Sequence, residues 1–523
     1  MKTQFLPAGC ACCPMNRRNF LARGSVAAAG AVGLLADPAQ LLAADKPATR
    51  TRIRIVYALH APQQPGPDWP NKGFDFQPVM DRVQRELTRR CKGFNFISAT
   101  ATGPEQARQI LEADQAAGGV DGYLVYQMNC WNQVVQTLAT SGKPVLYADF
   151  QFGGSGGFLV YNAAFLRNRA PNVGFVASSD LKDLAEAVKC FALVTQGGTV
   201  ADFVNATANV RTRRTAKAGR LALRTDNLNC VSTDDCLRQM KASRILAVRD
   251  QNPGAEPAVA GIPVQKVPFA ELNEAWKNAD PDEARAVADR WQRAARRVEG
   301  VSRGTLETSA AMYLAEKALL KKYGANAITI NCLGGFYGGH IHAYPCLGFH
   351  QLLNDGLVGG CECDVRSAAT MVIGAILTRG RPGYISDPVM DTAKRQIIYA
   401  HCVAANRALG PQGPANPFEI LTHSEDRQGA SVRSILPTGY LTTTLEFDQG
   451  RKQILFHQAK AVGNDPDDRA CRTKLCAEPV GDFEKLFREW DQWGWHRVTF
   501  YGDLKQPIYA LADALGWKVV EEA

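Results

Sequence analysis

From Arg52 to Ala148 short β-branched runs alternate with longer amphipathic ones, and that alternation leaves few folds open. Arg52–Leu59 places Ile53, Ile55 and Val56 in a strand pattern. Phe76–Cys91 repeats apolar residues at Val79, Met80, Val83 and Leu87, which lie on one face of a helix. Phe94–Ser98, Gly122–Tyr126 and Pro144–Ala148 read as further strands, with helical patterns over Pro104–Ala117 and Trp131–Thr140 between them. Strands joined through helices run parallel, because a parallel crossover needs a dozen or more residues. Residues 50–175 are therefore expected to form a doubly wound α/β domain, with helices on both faces of a parallel sheet.

The pattern continues from 176 to 409. A helix is expected over Leu181–Val194, strands near Gly219–Leu223, Ile245–Val248 and Ala327–Asn331, and amphipathic helices over Glu283–Val298 and Leu306–Tyr323. The Pro/Gly-rich stretch Asn252–Pro263 reads as a surface loop. This is a second doubly wound parallel-sheet domain. After the linker-like Pro411–Pro417, alternating runs at Ser431–Leu436, Tyr440–Phe447 and Lys452–Ala461 predict antiparallel strands. Residues 410–523 are thus a β-rich, barrel-like domain with a closing α/β segment. Three units suit the length, since a chain of 523 residues exceeds what one core holds.

The chemistry-bearing residues sit at the tips of apolar elements. Cys361-Glu362-Cys363-Asp364 heads an almost wholly apolar helix running from about Val365 to Leu377. Asp387 ends Gly383-Tyr384-Ile385-Ser386-Asp387, a short buried strand. His401 ends Ile397-Ile398-Tyr399-Ala400-His401, and His496 lies in Trp493-Gly494-Trp495-His496. Charges beside buried elements need a partner or an ion. Two carboxylates and two imidazoles suit a hard-to-borderline divalent metal. Each residue also has a plainer explanation. The helix dipole favours Glu362, Asp-Pro initiates turns at Asp387, and His401 and His496 suit core histidines bonded to backbone. Asp364, two residues beyond Glu362, points elsewhere and with Ser367 is expected to cap the helix.

Gly360-Cys361-Glu362-Cys363-Asp364, then Ala369-Thr370-Met371 in an apolar helix, then Ser386-Asp387, resembles the C-terminal half of the L-fucose isomerase and L-arabinose isomerase superfamily. The domain order matches from about 50 onward. The resemblance implies a metal-dependent aldose–ketose isomerase acting on a monosaccharide through an enediol. Glu362, Asp387 and His496 would ligate a divalent metal, usually manganese, with His401 where arabinose isomerases place a further histidine. Glu362 and Asp387 would also form the acid/base pair. The resemblance further implies a homo-oligomer with sites at subunit boundaries. An export leader departs from the pattern of cytoplasmic sugar isomerases, and no sugar-recognition set is legible.

Arg17-Arg18 followed by the apolar Gly24–Ala36 and a small-residue site near Ala43-Ala44 is the twin-arginine export pattern. Residues 1–44 are expected to be a cleaved leader and the protein periplasmic. The apolar run is short of the roughly 20 residues that span a bilayer, so no stable membrane span is expected after cleavage. The net charge of +9 falls to +6 without the +3 of this segment, whose charges are Lys2, Arg17, Arg18, Arg23 and Asp37. The remaining charges are of both signs and scattered, unlike a nucleic-acid footprint. Cys230/Cys236 and Cys471/Cys476 are candidate disulfide pairs in an oxidising compartment. Cys91, Cys190, Cys332 and Cys402 lie in apolar surroundings and read as buried thiols.

Three weaker features remain. His340-Ile341-His342 sets two imidazoles on one side of an extended segment, His423-Ser424-Glu425-Asp426 opens the β-rich region, and Phe152–Gly157 reads as a flexible loop near a domain junction. The competing functional readings are an exported sugar-binding protein and an isomerase fold without turnover.

Overall fold

The computed structural model describes residues 50–249 and 252–523; the expected leader lies outside them. The first sheet contains β1 (Thr51–Ala58), β2 (Phe94–Ala101), β3 (Gly122–Gln127), β4 (Val145–Asp149) and β5 (Val173–Val176). Its order is β2-β1-β3-β4-β5 and every pair is parallel. β3 and β4 are buried along their whole length, as expected where both faces of a parallel sheet are covered. The helix Gln77–Arg90 buries Met80, Val83 and Leu87, three of the four positions the periodicity selects.

The second sheet contains β6 (Ile245–Arg249), β7 (Gly254–Val259) and β8 (Ile262–Pro268). The three-residue β9 (Arg297–Glu299) leaves it, and β10 (Ala327–Ile330) and β11 (Val358–Gly360) complete it in the order β11-β10-β6-β8-β7. The expected loop at Asn252–Pro263 is largely an antiparallel hairpin, turning at Ala260 and Gly261 with φ of +51° and +81°. The expected strand near Gly219–Leu223 does not form. Residues 216–232 run without regular structure across the barrel, where Arg224 N donates to Gly439 O at 2.8 Å, leaving Leu221 and Leu223 exposed.

The antiparallel sheet starts earlier than the alternating pattern after 410 suggests. Its first strands are β12 (Tyr384–Asp391) and β13 (Gln396–His401). β14 (Phe418–Leu421) and β15 (Ser431–Ser434) join β9 in a small separate sheet. β16 (Leu441–Asp448), β17 (Gln453–Asn464), β18 (Thr473–Val480) and β19 (Arg497–Tyr501) then complete the order β16-β19-β12-β13-β18-β17. Pairing of β16 with β17 closes these six strands into a barrel. β20 (Lys518–Glu521) lies parallel against β17. Closure removes the free edges that an open antiparallel sheet would expose.

The helix Val365–Leu377 joins the second sheet to the barrel. It is apolar nearly all round, so it is buried nearly all round. Gly374 marks its closest approach: a Cβ there would meet the Phe500 ring at 2.0 Å. Gly374→Ala is expected to cost about 1–3 kcal/mol through overpacking. A urea titration checks this, and an unchanged midpoint would mean the seam has slack.

Candidate metal centre

The strand register assembles the site. Ser386 pairs with Arg497 across β12 and β19, so Asp387 lies opposite His496 at the next position. Asp387 also pairs with Ala400 across β12 and β13, which sets His401 at the neighbouring strand end. Asp387 lies within a longer strand than its Asp-Pro sequence suggests, not at its end. The chain leaving β11 adds Glu362.

That turn is unusual. Glu362 and Cys363 have φ of +63° and +53°, consecutive left-handed residues without a glycine. Such conformations cost on the order of 1–3 kcal/mol each and persist where the surroundings over-determine them. Cys363 N is held by Ile330 O at 3.0 Å. Asp364 then caps the helix, accepting from Ser367 N at 3.0 Å and Ser367 Oγ at 2.8 Å, as its spacing leads one to expect.

Glu362, Asp387, His401 and His496 converge, each offering one ligand atom within 4.8 Å of the others. His401 Nδ1 lies 3.1 Å from Asp387 Oδ2. His496 Nε2 lies 3.1 Å from Asp387 Oδ1 and 3.5 Å from Glu362 Oε2. On its other side His496 Nδ1 is 2.9 Å from Asp364 Oδ2. Donation from Nδ1 to Asp364 leaves the Nε2 lone pair facing the carboxylates.

The fit to a cation rests on two atoms. Asp387 Oδ1 and His496 Nε2 are both buried, and neither has a hydrogen-bond partner although they lie 3.1 Å apart. Either a proton on His496 or a cation between the two atoms removes the repulsion of facing acceptors, and the convergence of Glu362 and His401 on the same point favours the cation. Ligands about 2.1 Å from one ion sit at roughly such spacings from each other. Charge balance agrees. Burial alone would lower the His496 pKa, but Asp387 and Glu362 raise it well above the ordinary range. Burial would raise Asp387, but His496 and His401 hold it down at about 2. The site therefore favours positive charge at its centre and ionised carboxylates around it.

Asp364 orients His496 from behind, the usual way a ligating imidazole is fixed. Glu446, fully buried, supports the same helix start through Ser367 Oγ at 3.1 Å and Arg366 Nε at 3.2 Å. Asp364→Asn is expected to lower metal affinity about 10- to 100-fold while the helix keeps its cap. Competition with a chelator measures this, and unchanged affinity would remove Asp364 from the site's support.

Aromatic rings pack around Trp495, the residue before His496. Trp495 lies 6.4 Å, centroid to centroid, from both Trp69 and Trp131. Gly156 seats it, since a Cβ there would meet the indole at 2.6 Å. Residues 153–157 are thus not the flexible loop their glycines suggest: Ser155–Arg167 is a helix, and Gly153–Gly157 are buried. Glu425 sits nearby, accepting from Tyr337 Oη at 2.9 Å. Burial pushes its carboxyl up to about 8, against the pull of His423 and helped by Asp68, Cys402 and Glu362. Among the described residues His340 and His342 join no ligand group; they stack on Phe269 and against Trp276.

No family model matches the chain. It is 26% identical over 265 residues to the sulfoquinovose isomerase of Clostridium sp. (strain MSTE9), an alignment covering 49% of this chain and 57% of that protein. It is 26% identical over 185 residues to the sulfoquinovose isomerase of Priestia aryabhattai, covering 35% and 40%. A LacI-family regulatory protein from Chloroflexus aggregans aligns over 53% of this chain and 77% of its own, at 10% identity and a TM-score of 0.16, too low to bear on the fold. The chain spans about half the length of the curated relatives it matches, and over that part it is similar to bacterial sulfoquinovose isomerases.

Proposed function

We propose that the protein is a metal-dependent aldose–ketose isomerase of the fucose/arabinose isomerase-like kind, acting on a monosaccharide. The observation that carries this reading is the convergence of Glu362, Asp387, His401 and His496, with Asp387 Oδ1 and His496 Nε2 buried, in contact and otherwise unsatisfied. The similarity to sulfoquinovose isomerases supports it independently. Manganese is the proposed ion, matched by mixed carboxylate and imidazole donors.

When bound, a divalent cation supplies Lewis-acid polarisation beside the sugar's carbonyl and hydroxyl. The chain does the rest. Glu362 and Asp387 are the proposed acid/base pair, one removing the proton from the carbon next to the carbonyl and returning it to the other carbon. His401 and His496 orient Asp387. Trp495, Trp69 and Trp131 offer apolar faces for the C–H side of a sugar.

The twin-arginine pattern at Arg17-Arg18 supports export to the periplasm, and a homo-oligomer is the proposed assembly. Among the described residues no helix is long and apolar enough to cross a membrane.

The test is proton exchange. The manganese-loaded protein is incubated in D2O with a panel of aldoses, including a 6-sulfonated one, and followed by NMR. Ketose formation with deuterium entering at C1 is the expected result. A panel that binds without exchange or ketose would favour the sugar-binding reading.

A further inference from the structure

The twelve cysteines among the described residues are all free thiols, and their arrangement differs from the expected pairs. Cys236 Sγ rests 3.8 Å from Met240 Sδ. Cys476 lies on β18 opposite Ile398. Cys471 instead meets Cys402, from 69 residues earlier, with the two sulfurs 3.2 Å apart. Unbonded sulfurs seldom rest so close, and a disulfide needs them at about 2.05 Å. Cys402 Sγ also meets two polar atoms, His423 Nε2 at 3.3 Å and Ser424 Oγ at 3.8 Å.

We propose that Cys402 and Cys471 form a reversible disulfide, made by peroxide and undone by thiols, at the strand end that carries His401. The Cys402 thiol reduces hydrogen peroxide, breaking the O–O bond, to give a sulfenic acid and one water. The Cys471 thiol then displaces the hydroxyl, forming the S–S bond and releasing a second water. Two thiols and one peroxide thus become one disulfide and two waters. A thiol reductant returns both hydrogens. Both residues are buried, at 5% and 3% exposure, which slows the entry of peroxide but leaves the partner thiol as the nearest nucleophile. A sulfenic acid formed there meets its partner thiol before it meets bulk oxidant.

The bond has a consequence for the strand end. Cys402 follows His401 directly, and its carbonyl accepts from Ser431 Oγ at 2.9 Å. Cys471 precedes Arg472, whose Nε donates to Thr422 O at 2.7 Å. Closing the sulfurs therefore ties the His401 strand end covalently to the segment leading into β18, just beyond the point where the backbone pairing of His401 with Thr473 ends.

The experiment uses the full chain treated with hydrogen peroxide, alkylated under denaturing conditions and digested without reductant. The expected result is an intact mass lower by two hydrogens and a linked peptide pairing Cys402 with Cys471, lost on thiol treatment. In Cys471→Ser, a dimedone-trapped sulfenic acid is expected on Cys402. In Cys402→Ser, Cys471 is expected to remain alkylatable. Full alkylation of both thiols after peroxide, or linkage of Cys402 to a different cysteine, would overturn the proposal. So would oxidation of Cys402 straight to sulfinic acid in the unsubstituted chain. These readouts are independent of metal and turnover, so they stand or fall separately from the isomerase reading.

Discussion

Glu362→Gln is expected to lower turnover by roughly 10³-fold or more while leaving the melting temperature almost unchanged. Glutamine keeps the side chain's size and inherits the same left-handed backbone at φ +63°, so the strained turn and its bond from Cys363 N to Ile330 O persist. What disappears is a negative charge 3.5 Å from His496 Nε2 and one of the two proton-transfer groups. Steady-state kinetics beside calorimetry separate the outcomes. A turnover loss with an intact transition supports a chemical role. Retained turnover removes Glu362 from the mechanism, and a lost transition would make the turn structural.

The second large effect lies behind the site. Arg497 and Glu522 are fully buried and joined at 2.7 Å between Nη2 and Oε1. His457 Nδ1 reaches Glu522 Oε2 at 2.8 Å, and the Arg497 guanidinium lies 3.8 Å over the Trp490 ring. Arg497 Nη1 also donates to the Gly494 and His496 carbonyls, so this pair fixes the backbone that carries His496. Glu522→Ala leaves the guanidinium buried without its counter-charge, which costs about 3–5 kcal/mol. The double variant Arg497→Met with Glu522→Leu is expected to recover most of that loss, because breaking a buried pair costs more than replacing it. Denaturant unfolding of the single and double variants checks both statements, and an equally unstable double variant would contradict the second.

The same pair sets an acid limit. Burial would raise the Glu522 pKa, but Arg497 and His457 overcome it and hold it down at about 2. Its unfolded value is about 4.3. The folded state therefore gains stability from this group above that value, and loses it as pH falls from about 4.3 toward 2. Stability measured across this window should slope less in the double variant.

Much of the fold was legible because it rests on local periodicity. β1 to β4 and the helices between them fall where apolar spacing places them, since each buries a face that its own sequence defines. Long-range register was not legible. Nothing local tells that Tyr384–His401 pairs with strands near the C terminus rather than with the sheet before it. The segment at 216–232 shows the opposite failure: its alternation is too short to bury, and no sheet takes it in. At the site, four residues stood out because charge sat beside apolar elements. Asp364's contact to His496 and the Arg497–Glu522 pair did not stand out, since each joins positions more than twenty residues apart. The Cys402–Cys471 contact was hidden in the same way, behind the nearer spacing of Cys471 and Cys476.

The measurement that bears most directly on the central claim is the metal content of the purified protein after stripping with chelator and dialysis with manganese. The account predicts about one metal per chain, reduced on Asp387→Asn or His496→Ala with the fold retained. Absence of stoichiometric metal in the folded, unsubstituted protein would contradict it, and would leave Asp387 Oδ1 and His496 Nε2 as an ion pair of carboxylate and protonated imidazole.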